Sequence, residues 1–359
     1  MAKRVRKSLW GTSFQRTLRA LTRATLRSST RAVVKASTKA LRAAVKPEPR
    51  PATRPAAKPR TPSAASATPA AGTWLTGAAM GPGGARRFRL FKPPGARKTT
   101  PLPLLVMLHG CDQDAAGFAR STRMQAHAAR EGFMLLFPEQ EPPANPKGCW
   151  NWFATRSGRA STEAASLIAA IDQACALHGA DSARVAIAGM SAGAGMAAFV
   201  ARHYPGRFRA VAMHSGIAPG AAHSIATALA AMQGRRAPQT IATGTELPPL
   251  LVIQGSADNV VRASNGSAAA RLWADAAGAL QAAPRTVQRG ARRAMTLTDF
   301  KQRGRLAATL CEVAGLGHAW SGGAASQPYS DATGPDASRL IWAFAARQFA
   351  LLDQSDAKQ

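Results

Sequence analysis

An α/β fold is predicted for this 359-residue chain, with a mostly parallel sheet carrying helices on both faces. Three observations predict it. Short apolar runs bounded by polar or turn residues alternate with stretches of helical period, the signature of strands joined by helical crossovers. One apolar run, Arg184 to Ala188, enters a helical stretch through Gly189-Met190-Ser191-Ala192-Gly193. Past two later apolar runs, an aspartate and a histidine lie at the strand edge where open α/β sheets place their sites.

The elements follow in order. Strands are expected at Arg86 to Phe91, Leu104 to Leu108, Phe133 to Phe137, Arg184 to Ala188, Ala210 to His214, Leu250 to Gln254 and Ala307 to Val313. Helical patterns cover Phe118 to Ala129, Thr162 to His178, Ala194 to Tyr204 and Ser264 to Ala276. A last helix is expected from Asp336 to Leu352, with Leu340, Ile341, Phe344 and Phe349 as its apolar face. The stretch from Gly220 to Thr245, rich in Pro, Ala and Gly, reads as an insertion near the cleft, a small lid. No internal repeat is evident.

A serine between two glycines at a strand-to-helix turn is the nucleophile elbow of α/β-hydrolases. Both glycines are needed because a side chain there would strike the neighbouring strand or helix. The ordinary reading, a small-residue helix start, is weakened by the strand before and the helix after. In this fold the acid and the base follow the serine along the chain, in that order. Asp258 follows the run Leu250 to Gly255, and His318 sits in Gly315-Leu316-Gly317-His318-Ala319-Trp320. Asp258 before Asn259 is also good turn chemistry. Ser191, His318 and Asp258 are therefore the candidate nucleophile, base and orienting acid. Two N–H donors should face the oxyanion: Ala192, at a helix N-terminus, and Cys111, in Leu108-His109-Gly110-Cys111 after an earlier strand. His214 is the rival base, but it precedes Asp258.

These motifs resemble the poly(3-hydroxybutyrate) depolymerase family of esterases, close to feruloyl and acetylxylan esterases. The resemblance runs over about residues 75 to 350. It rests on Leu108-His109-Gly110-Cys111, Phe137-Pro138-Glu139-Gln140, Cys149-Trp150-Asn151-Trp152-Phe153 and the Ser191 elbow. It continues through His214-Ser215-Gly216, the Asp258 loop, Gly317-His318-Ala319-Trp320-Ser321-Gly322-Gly323 and Gly334-Pro335-Asp336-Ala337-Ser338. It implies hydrolysis of esters in hydroxyalkanoate polymers, their oligomers or related acyl esters, by a serine enzyme with no cofactor. A feruloyl or acetylxylan esterase is the alternative within enzymes. A non-catalytic protein acting through a basic arm is the alternative outside them. Trp150, Trp152 and Trp320 are candidate substrate-binding aromatics, against the ordinary reading of core tryptophans. At spacing i, i+2 in extended chain, at most one of Trp150 and Trp152 faces the cleft.

Four cysteines make no disulfide-dense scaffold, and no spacing among them suggests a metal. Cys175 and Cys311 fall in element patterns and read as buried small hydrophobes. Cys111 and Cys149 both lie in loops at the site's edge, either bridged or as two free thiols.

Of the net charge of +29, residues 1–60 hold +16, from seventeen Lys or Arg against Glu48. Trp10, Phe14, Leu18 and Leu21 recur at helical spacing with arginines interleaved, so residues 1–45 read as a basic amphipathic arm. Its expected partner is an anionic surface (polyester granule, lipid or nucleic acid), against the bland reading of a solubilising tail. Residues 46–72 read as a Pro- and Ala-rich linker and 73–353 as the catalytic domain. No apolar stretch of export-signal or membrane-spanning length is evident. The family resemblance suggests an extracellular location, with a cytoplasmic or granule-associated one as the alternative.

Overall fold

The structure, a computed structural model, describes residues 72–356. The expected arm at 1–45 and nearly all of the linker at 46–72 lie outside these residues. Strands β1 (Thr73–Gly81) and β2 (Gly84–Lys92) form an antiparallel hairpin, and β2 pairs antiparallel with β4 (Met134–Pro138). From β4 the sheet runs parallel through β3 (Leu102–Leu108), β5 (Ala180–Met190), β6 (Ala210–His214), β7 (Leu250–Gly255) and β11 (Arg305–Val313). Antiparallel β10 (Met295–Gln302), with β8 (Leu280–Gln281) and β9 (Arg285–Val287) beside it, closes the far edge. The central strands β6 and β7 are buried along their whole length, which is why they read as unbroken apolar runs.

The pleat divides β3 between two cores. Leu104, Val106 and Leu108 face α3 (Arg159–His178), α4 (Ala192–His203) and α6 (Ser264–Ala277). Leu105 and Met107 face α1 (Ala115–Thr122), α2 (Met124–Glu131) and α7 (Ala337–Asp356). The sheet is thus covered on both faces, as an α/β-hydrolase requires. Its register lines up the C-terminal ends that matter. Met190 pairs with His214, His214 with Ile253, and Gly255 with Val313. The chain leaves three of these strands into the Ser191, Asp258 and His318 loops.

Two expectations change. The helix expected from Phe118 to Ala129 is two helices, broken at Arg123, whose φ of 53° lies in the left-handed region. There the Arg123 guanidinium donates to the Gly322 carbonyl at 2.6 Å, a tertiary contact that local periodicity does not encode. Strands β1 and β10 were not expected, because Gly and Ala in one and half-polar alternation in the other dilute the apolar signal. The segment 220–245 contains the short helix α5 (Ile225–Met232), whose N-terminus Ser224 and Thr227 cap reciprocally. The Met232 carbonyl at its end accepts the Arg262 N–H at 2.9 Å, which seats α5 against the loop carrying Asp258.

Candidate active site

Ser191 sits between β5 and α4 with φ 56° and ψ −118°, a conformation costly for any side-chain-bearing residue. The neighbouring glycines make it attainable. A Cβ on Gly193 would lie 2.2 Å from the Leu108 carbonyl oxygen, and one on Gly189 2.3 Å from that of Gly193. Strand β3, the elbow and the first turn of α4 therefore touch backbone to backbone. Gly110 lies alongside, since a Cβ built there would fall 3.5 Å from that of Ser191.

Asp258 is fully buried and uses each oxygen differently. Oδ1 accepts the N–H groups of Val260 and Val261 at 2.9 and 2.8 Å; Oδ2 accepts His318 Nδ1–H at 2.8 Å. The Gln254 amide also donates to Oδ2, at 3.3 Å. Burial alone would raise this carboxyl, but the hydrogen bond and electrostatic pull of His318 and the two N–H donors outweigh burial and hold it below the usual range. With Nδ1 committed to Asp258, Nε2 is the nitrogen left to take a proton. Turn-former and orienting acid are one residue here, a combination the sequence posed as alternatives.

His214 joins the two halves of the site. Its carbonyl accepts the Ser191 N–H at 2.9 Å, and its ring Nε2 accepts the Ser321 N–H at 3.1 Å, three residues past His318. Complete burial, with the His318 charge adding to it, pushes its pKa down to about 3, so it is a neutral acceptor. Among the described residues the Ser191 hydroxyl has no hydrogen-bond partner, an arrangement common before substrate tightens a site. The Cys111 and Ala192 N–H groups likewise donate to no protein acceptor among these residues.

Cys111 and Cys149 are joined, with sulfurs 2.11 Å apart and Cα atoms 4.3 Å apart. The three candidate tryptophans are all buried. Trp320 is fully buried, stacks on the His214 ring and donates to Ser338 Oγ at 3.1 Å. Trp150 is fully buried under the Arg86 guanidinium, 5.3 Å from its ring. Trp152 is 6% exposed and packs on α4 at Gly195. All three pack in the core clusters, which is the ordinary setting of a tryptophan.

The family described as esterase PHB depolymerase matches residues 86–296. The chain belongs to this family. Poly(3-hydroxyalkanoate) depolymerase C of Paucimonas lemoignei is 34% identical over 130 residues, covering 36% of this chain and 31% of that one. Feruloyl esterase B of Neurospora crassa is 32% identical over 117 residues, covering 32% and 39%. The chain thus spans well under half the length of these curated relatives. The solved acetyl xylan esterase from Aspergillus awamori superposes with a TM-score of 0.57 at 19% identity, over 69% of this chain and 94% of that one. That likeness shows the α/β-hydrolase fold of the family. The match of residues 86–296 takes in the elbow and the Asp258 loop and stops short of His318.

Proposed function

We propose that this protein is a serine esterase that cleaves esters of short hydroxyalkanoate chains or related acyl groups through an acyl-enzyme. The observation that carries it is the 2.8 Å bond from His318 to a buried Asp258, in a fold that strains Ser191 at its elbow. His318 Nε2 takes the Ser191 proton as Oγ attacks the ester carbonyl. The oxyanion is met by the Cys111 and Ala192 N–H groups. His318 then protonates the departing alcohol oxygen as the C–O bond breaks. Water, deprotonated by the same nitrogen, attacks the acyl-Ser191 carbonyl, and collapse releases the acid and returns the proton to Ser191. The depolymerase relative favours a hydroxyalkanoate ester; feruloyl and acetylxylan esters are the substrates to set beside it.

The test is hydrolysis of p-nitrophenyl butyrate, a 3-hydroxybutyrate dimer, methyl ferulate and acetylated xylan by wild type and Ser191→Ala. A fall of at least about 10⁴-fold in kcat is expected for the variant. Equal rates would leave Ser191 without its role and favour a non-catalytic protein. For residues 1–45 we propose an anionic surface as partner, supported by their charge. Deleting them should abolish binding to vesicles of anionic lipid, and unchanged binding refutes it.

A further inference from the structure

Behind the oxyanion turn lies a buried polar network that the mechanism above does not use, built from two sequence motifs without a role so far. Its hub is Gln140, 3% exposed. The Gln140 N–H donates to His109 Nε2 at 3.1 Å. Its amide nitrogen donates to the Cys149 carbonyl at 3.1 Å and to Glu163 Oε1 at 2.8 Å, and its amide oxygen accepts from Arg86 Nη1 at 2.6 Å. Glu163, itself buried, also accepts the N–H and the side-chain amide of Asn151. Both N–H groups and the oxygen of the Gln140 amide therefore have a partner, which fixes its rotamer and its amide orientation.

Both exits of this network end on Cys111. Since Nε2 of His109 accepts from Gln140, Nδ1 must carry the ring proton, and it donates to the Gly110 carbonyl at 2.8 Å. That carbonyl and the Cys111 N–H belong to one planar trans peptide, so they point in opposite directions. Holding the carbonyl back aims the N–H forward. The second exit is Cys149, whose sulfur is bonded to that of Cys111. We propose that Gln140 is a positioning residue that aims the Cys111 N–H at the oxyanion, acting through the His109 ring and the Cys149 carbonyl. Burial pushes His109 down to about 4 and keeps the ring the neutral acceptor this chain of bonds requires. Arg86 and Glu163 hold the hub from either side. The proposal rests on the serine-esterase reading for its catalytic meaning, though not for its structural part.

The experiment compares wild type with Gln140→Met, which keeps the volume and removes every side-chain bond. A second variant is the exchange Gln140→Glu with Glu163→Gln. The exchange keeps one buried carboxylate and an acceptor for Arg86, yet can no longer donate to the Cys149 carbonyl. Amide hydrogen exchange should quicken about tenfold or more over residues 108–114 in both variants, with other segments unchanged. On p-nitrophenyl butyrate, kcat should fall about ten- to a hundredfold while KM stays within about twofold, as for an oxyanion donor out of line. Thiol titration should show the disulfide intact. Unchanged exchange at 108–114, or equal falls in kcat and rises in KM, overturns the proposal. If Gln140→Met does not fold, the exchange variant decides alone. Faster exchange in a protein whose wild type hydrolyses no ester would uphold the positioning and sink the esterase reading instead.

Discussion

Asp258 shows how one carboxylate can hold a turn and a neighbouring ring at once. Its Oδ1 closes the turn through Val260 and Val261, and its Oδ2 sets the His318 tautomer. Asp258→Asn keeps the size but presents an amide that can turn its NH₂ to Nδ1, favouring the wrong tautomer. A fall of about 10⁴-fold in kcat is expected on p-nitrophenyl butyrate, with little change in KM. The buried histidines set the acid side of stability. His214 and His109 stay neutral in the folded protein down to about 3 and about 4, against 6.5 for the unfolded chain. Below pH 6.5 the unfolded state therefore binds more protons, and stability falls with pH by up to about 1.4 kcal/mol per unit for each group. Asp258, held low, adds stability above its ordinary range that is lost as pH falls through its lowered value. Melting temperatures between pH 7 and 4 should drop less steeply for His214→Asn than for wild type. Parallel curves would show that His214 is not the group responsible.

At the scale of elements, the elbow is a backbone contact more than a side-chain motif. Gly193→Ala would place a methyl group 2.2 Å from the Leu108 carbonyl and 2.5 Å from that of His109. A loss of about 3 kcal/mol or more is expected, read as a lowered denaturation midpoint together with lost activity. A midpoint equal to wild type would mean that β3 and α4 do not meet as described. The disulfide closes a separation of 38 residues between the oxyanion turn and the Cys149 loop. The chain-entropy argument puts its contribution at about 4 kcal/mol. Paired Cys111→Ser and Cys149→Ser substitution should lower stability by up to that amount and kcat with it. The elements legible in the sequence were those with unbroken apolar runs, such as β6, which spans Ala210–His214 as expected. Strand β10 was not: it presents Thr296, Thr298 and Asp299 among its apolar residues, and its pairing with β11 on one side and with β8 and β9 on the other makes it a strand.

Across the whole molecule, the candidate site residues lie within residues 72–356, past the C-terminal ends of strands in the parallel part of the sheet. Removing residues 1–66 should leave p-nitrophenyl butyrate hydrolysis within about twofold of wild type, because the elements described around the site all lie within residues 72–356. A larger loss would give the basic segment a part in the chemistry.

The order of serine, acid and histidine, and the small residues around the serine, are properties of the chain itself. Local sterics and strand-end geometry demand them, so they can be read without coordinates. The fate of the tryptophans could not be read so, because burial is settled by what packs above a residue. Nor could the convergence of Arg86, Gln140, Cys149 and Glu163. Hydrogen bonds between side chains remote in sequence leave no periodicity, and only the folded sheet brings them to the oxyanion turn.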